Sequence, residues 1–157
     1  MNLDQQLEAA AKVSRAIFES HKGLMPMVHA IDTSGTHHVI AVPTMGGDDN
    51  EKDIAAVMLR NTFKKLGVQQ YVLITEAWTL HLPKDTDLSG ELPRPRDHAD
   101  RAEVVTFQAE HRNGDTMCGE MVITRDVDGN PSLGELKTWR SSVMHGRLTG
   151  LLQTANN

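Results

Sequence analysis

Acidic and imidazole side chains gather around one stretch of this sequence. Glu76 closes the apolar run Tyr71-Val72-Leu73-Ile74-Thr75, and His81 follows five residues later. Asp97, His98, Asp100, Arg101 and Glu103 then arrive just ahead of the next apolar alternation. If the strands on either side are neighbours, these groups converge at one end of a sheet. Carboxylates and imidazoles brought together there would hold a divalent cation or carry out general acid–base work. In that reading Glu76, His81, Asp97 and His98 supply the metal ligands, and Glu76, His81 and His98 are the catalytic candidates. A simpler reading uses the same charges structurally. Glu76 pairs with Arg101 or Arg96 and pins the intervening loop to the sheet, since clustered charges also arise from structural ion-pair networks.

The other chemistry-bearing motifs are weaker. His37 and His38 are adjacent, and neighbours on a strand point to opposite faces, so they do not share one ion easily. His29 meets His37 or His38 if the segment folds as a hairpin, which makes two ligands where zinc sites use three or four. Gly46-Gly47 precedes a helix but lacks the phosphate-loop pattern, and the acidic residues after it repel a phosphate. Asp126-Val127-Asp128-Gly129-Asn130 opens like a calcium loop, yet Pro131 stands where the loop needs Gly and Lys137 where it needs the bidentate Glu. That segment reads as a turn. Cys118 sits inside an expected strand as a small hydrophobe, Ser141-Ser142 has no motif around it, and no nucleophile-elbow pattern exists.

The elements that must position these residues follow from periodicity. A helix is expected over 2–22, with Asn2 or Asp4 capping its start and Gly23 ending it. Strands 25–31 and 38–42 flank Asp32-Thr33-Ser34-Gly35-Thr36, which has turn chemistry, so a hairpin is expected. After a loop, a second helix runs over 51–66, with Asp48, Asp49, Glu51 and Asp53 near its positive end and Gly67 closing it. Ile54, Val57, Met58 and Leu66 are its expected buried face. The run 71–80 is the clearest strand and the expected sheet centre, because a continuous apolar run suits burial on both faces. Residues 81–101, with Pro83, Pro93 and Pro95, form a long loop, the kind that tends to be functional. Strands 104–111 and 117–125 are joined through Asn113-Gly114, a hairpin signal. Val105, Phe107 and Ala109 alternate with Thr106, Gln108 and Glu110, which gives one wet face. A short strand near 135–140 and a short helix over 143–153 complete the chain. The order is that of a single α+β domain over 1–157. It has a mixed, mostly antiparallel sheet of about six strands with two to three helices packed on it.

Composition limits the function classes. The chain has 157 residues, 39% hydrophobic and 24% charged, with a formal charge of -5. That charge argues against a duplex nucleic-acid binder, which carries a basic stripe. Phe and Trp are too scattered for single-strand stacking platforms. One cysteine excludes an intrachain disulfide and fits a reducing, cytoplasmic setting. No apolar run approaches the roughly 18 residues of a membrane helix, and the N-terminus lacks the features of a signal peptide. Eight Met suit an adaptable core or a soft contact surface.

The segment Glu76-Ala77-Trp78, a Pro-rich loop, and then Asp100-Arg101-Ala102-Glu103 resembles a pattern in uncharacterised small bacterial and bacteriophage proteins with a similar order of elements. The resemblance implies no activity. It implies that Glu76, Trp78, Arg101 and Glu103 work as one unit. Apart from the resemblance, Arg96 in the charged loop is a further binding candidate. The expected function is a non-catalytic accessory protein acting through a protein partner or self-association, with no cofactor, membrane or duplex nucleic acid. The alternative is a metal-dependent hydrolase, or small-molecule-binding enzyme, using a divalent metal at the end of the central strand.

Overall fold

The computed structural model describes residues 1–42, 48–79, 101–140 and 148–152. Most of the expected 81–101 loop and most of the expected C-terminal helix lie outside the described residues, as do Ser141 and Ser142. The chain forms α1 (Leu3–His21), β1 (Met27–Asp32), β2 (His37–Ala41), α2 (Asp49–Leu66), β3 (Val68–Thr79), β4 (Ala102–His111), β5 (Thr116–Arg125), β6 (Pro131–Leu133) and β7 (Lys137–Arg140). This is an α+β fold. Its sheet has seven strands in the order β2-β1-β3-β4-β5-β6, with β7 also paired to β5. Each of these pairings is antiparallel. The expected strand near 135–140 is β7, and a further short strand, β6, precedes it; both lie along the outer edge of β5. Lys137–Arg140 lies along Met117–Glu120, and Pro131–Leu133 lies along Ile123–Arg125.

β3 explains the layering. Gln70 to Ile74 are all buried, and successive side chains on a strand point to opposite faces. Val72 and Ile74 join one cluster with Leu3, Leu7, Ala10 and Phe18 of α1. Tyr71 and Leu73 join a second with Ala55, Ala56, Leu59 and Phe63 of α2. The two helices therefore cover opposite faces of the sheet. No helix among the described residues is long and apolar enough to cross a membrane.

Local chemistry sets the helix ends. Asn2 caps α1, accepting the Gln5 N–H while the Gln5 side chain accepts the Asn2 N–H at 3.0 Å. Its C-terminal cap is Lys22 in the left-handed region, one residue before the Gly23 the sequence suggests. Asp48 caps α2, and Gly67 ends it at φ 67°, a conformation glycine adopts without strain. Inside the α1 layer the buried Gln6 donates to the His29 carbonyl at 2.8 Å and accepts from Gln70 at 2.8 Å. One polar chain thus ties α1, β1 and β3 together with its groups satisfied. Arg15 donates to the Leu133 and Gly134 carbonyls at 2.9 and 2.7 Å, fastening α1 to the far side of the sheet. Where α1 crosses β5, Gly119 lets Leu7 in: a Cβ there would meet the Leu7 side chain at 3.1 Å.

Two sequence expectations are corrected. The buried face of α2 is Ala55, Ala56, Leu59 and Phe63. Ile54, Val57 and Met58 are 50–55% exposed. Two alanines let the helix approach the sheet, and Phe63 packs on Tyr71 with ring centroids 4.9 Å apart. The supposedly wet face of β4 is also not wet throughout. Glu110 is buried and accepts the Gly150 N–H at 2.7 Å, beneath Leu148, Leu151 and Leu152. Burial, with Glu110 opposite on β4, holds the Tyr71 hydroxyl far above its usual pKa.

The two faces of α2 should respond differently to truncation. Phe63→Ala should cost about 3–5 kcal/mol. Val57→Ala should stay within about 0.5 kcal/mol. Urea denaturation of both variants checks the assignment, and equal losses would reverse it.

Candidate functional site

Glu76 and Trp78 continue the line of Val72 and Ile74 beyond the end of the α1-side core, so both project from the α1 side of β3. Antiparallel register puts Glu103 of β4 directly opposite Trp78, and Val105 opposite Glu76. Arg101 precedes β4. The candidates Glu76, Trp78, Arg101 and Glu103 are therefore brought to one end of the sheet, as the sequence suggests. His81, Arg96, Asp97 and His98 lie outside the described residues.

The contacts within this group differ from a simple Glu76–Arg101 clamp. The Arg101 guanidinium carbon lies 4.5 Å from the centroid of the Trp78 ring, a stacked cation–π contact. Glu76 Oε1 accepts the backbone N–H of Leu24 at 2.8 Å. That carboxylate thus secures the chain where it leaves α1 and turns toward β1. Leu24 is itself buried in the α1-side core, so the bond fixes the exit of the helix.

Glu103 takes a partner that sequence reasoning missed. Arg125, at the end of β5, donates Nε to one carboxylate oxygen at 2.8 Å and Nη2 to the other at 3.0 Å. This is a two-pronged pair with fixed geometry. The hydrogen bond from Arg125 is the main cause that holds the Glu103 carboxyl below its usual value of 4.5, with Arg101 adding a smaller pull. Glu76 and Glu103 both favour the charged form of Arg125. Across β3, β4 and β5 the result is an exposed patch of one indole, two guanidinium groups and two carboxylates. The signal for Arg125 lay in the β4–β5 register, which depends on the turn between them. His111 N–H donates to the Asp115 carbonyl at 2.9 Å across a loop closed by Gly114 at φ 99°. This is a three-residue loop with its glycine in the left-handed position, whereas the Asn-Gly pair alone suggests a two-residue one.

A second group lies on the β1–β2 hairpin. His29 Nε2 and His37 Nδ1 are 2.9 Å apart, the cross-hairpin meeting the sequence allows. Burial first, and His37 second, lower the pKa of His29. His38 turns to the other face and meets Asp32 Oδ2 at 2.8 Å. Asp32 also accepts from Ser34 and Thr36 in the turn, and its pKa falls far below the usual carboxylate range for these reasons.

Elsewhere the bland sequence readings describe the geometry. Asp126 accepts the backbone N–H groups of Asp128 and Asn130 at 2.9 Å each, forming a tight turn. Burial, and then Glu110, raise the pKa of the Cys118 thiol, which favours the unreactive form. Among the described residues no group of three or more His, Cys, Asp or Glu side chains is placed to hold a metal ion.

The Glu103–Arg125 pair makes a pH prediction. Because the folded carboxyl binds its proton less readily than the unfolded one, the pair's stabilisation is complete above about pH 4.5. It is lost as pH falls through the lower folded value. Arg125→Gln should therefore lower the melting temperature at neutral pH and leave it unchanged in strong acid, so that the variant's acid limb is shallower. Parallel curves for the two proteins would show that the pair does not couple to stability.

Compared with known proteins, the chain matches no family model, no curated protein and no solved structure at a significant level. The patch and the hairpin therefore stand on their geometry alone.

Proposed function

We propose that this chain is a non-catalytic binding protein that works through protein–protein contact, with a second copy of itself as the partner. The observation that carries the reading is the outward face of α2. Ile54, Val57 and Met58 recur at helical spacing and are 50%, 55% and 54% exposed. Large apolar residues grouped in this way mark contact surfaces more often than scattered ones do.

The neighbouring sheet edge supports it. Among the described residues β2 ends the hydrogen-bonded strand order. Its sequence, His-His-Val-Ile-Ala, carries no Lys, Arg, Asp or Glu. Proteins that must stay apart guard such edges with charge, proline or bulges. Val39 on this strand is 72% exposed, while Ile40 packs into the α2-side core. The edge carries no ionisable side chain but histidine, and the stripe lies among α2 charges of both signs, Asp53, Arg60 and Lys64. That suits a two-fold contact in which each surface meets its own copy. The expected setting is the cytoplasm, in keeping with a single cysteine.

The enzyme alternative rests on convergence of Glu76 with His81, Asp97 and His98, and the described member, Glu76, is engaged by the Leu24 backbone.

Analytical ultracentrifugation tests the proposal. The wild-type chain should dimerise reversibly. Val39→Lys and Val57→Asp should each shift it toward monomer without lowering the melting temperature of the monomer. A wild-type chain still monomeric at roughly millimolar concentration, where an association of about −4 kcal/mol would register, overturns the reading. So does a dimer indifferent to both changes.

A further inference from the structure

The β1–β2 hairpin, whose outer edge the proposed self-association uses, also brings two imidazoles together on one face. His29 pairs with Val39 in the strand register, and His37 pairs with Ile31. His29 and His37 are thus diagonal neighbours on one face, within reach of each other's rings. Their centroids are 5.1 Å apart with planes tilted by 32°. His29 Nε2 and His37 Nδ1 approach to 2.9 Å. A hydrogen bond at that distance needs a lone pair on one ring, so at least one imidazole is neutral. A cation in place of the shared proton would sit off the nitrogen–nitrogen line, where both lone pairs meet once the two rings turn toward it.

The separation is compatible with two nitrogens binding one cation. Ring nitrogens bind transition ions at about 2.0–2.1 Å, so two of them bound at a right angle lie about 2.9 Å apart, and at the tetrahedral angle about 3.3 Å. The observed spacing fits cis coordination at a right angle, which square-planar, tetragonal and octahedral sites share, and among divalent ions that accept it Ni²⁺ and Cu²⁺ hold nitrogen donors most tightly. Square-planar or tetragonal sites with nitrogen and oxygen donors are those of Cu²⁺ and Ni²⁺. The surroundings hold the pair ready. Asp32 accepts from the Ser34 backbone, the Ser34 hydroxyl, the Thr36 backbone and His38, which fixes the turn and hence the relation of the two strands. Gln6 binds the His29 carbonyl from α1, steadying β1 beneath its imidazole.

We propose that His29 Nε2 and His37 Nδ1 chelate one Cu²⁺ or Ni²⁺ ion in adjacent equatorial positions, with water or a small nitrogen or oxygen ligand completing the coordination. Two protein ligands make the ion exchangeable and leave it open to an outside ligand. His38, on the opposite face and held by Asp32, is not a ligand.

The test is titration of the metal-free full chain with Cu²⁺ in a glycine-containing buffer, read by calorimetry and by electron paramagnetic resonance. The first equivalent should show nitrogen splitting from two equatorial imidazoles. His37→Ala, at an exposed position, should weaken that equivalent by roughly 100-fold, the upper end of what loss of a ligand's supporting partner does. His29→Gln should do the same, while His38→Ala should leave affinity and spectrum unchanged. Circular dichroism of each variant separates lost chelation from lost fold, and His37→Ala decides if His29→Gln does not fold. The proposal is overturned if the wild type binds no copper under these conditions, if the first equivalent survives His37→Ala with its two-nitrogen spectrum, or if it is lost on His38→Ala. The result is independent of dimerisation, because the same titration can be made on the monomeric Val57→Asp chain.

Discussion

The burial of β3 on both faces governs this molecule. Tyr71, Val72, Leu73 and Ile74 form an uninterrupted apolar run, and a strand cannot hide such a run against one layer. One helix must therefore lie on each side. α1 covers Val72 and Ile74, and α2 covers Tyr71 and Leu73. With β3 sealed in this way, its last residues leave the core and enter a polar setting. The same alternation that buries Val72 and Ile74 carries Glu76 and Trp78 out beside Glu103. The patch is a continuation of the core by other residue types.

What the sequence made legible was local. Asn2 and Gly67 announced their helix boundaries through cap chemistry, and the apolar run of β3 announced its central place. The hairpin between β1 and β2 followed from the turn residues 32–36, and with it the meeting of His29 and His37. What escaped was relational. Helix α2 has two apolar lines, and the bulkier one, Ile54, Val57 and Met58, is the one left outside. Only the partner on the sheet decides, and Tyr71 selects Phe63. Arg125 escaped for a similar reason. Its match with Glu103 depends on the length of the β4–β5 loop, and a difference of one residue sends every side chain to the other face.

The two ends of the sheet differ in character. The β3–β5 end carries paired charges around an indole. β2 carries no Lys, Arg, Asp or Glu, and α2 exposes the apolar stripe Ile54, Val57 and Met58 among charged neighbours such as Asp53, Arg60 and Lys64. Salt strengthens apolar burial and screens exposed ion pairs, so the two surfaces respond to ionic strength in opposite senses.

Gly119 has a consequence for the placement of α1. Its missing side chain leaves a notch in the sheet, and the Leu7 side chain fills it. The next residues of β5 on that face are Met117 and Met121, both in the α1-side core. If the helix slid toward either, Leu7 would climb out of the notch onto a long thioether. The notch therefore acts as a detent. It gives the helix one seating rather than a range of nearly equal ones, so native packing is unique as well as tight.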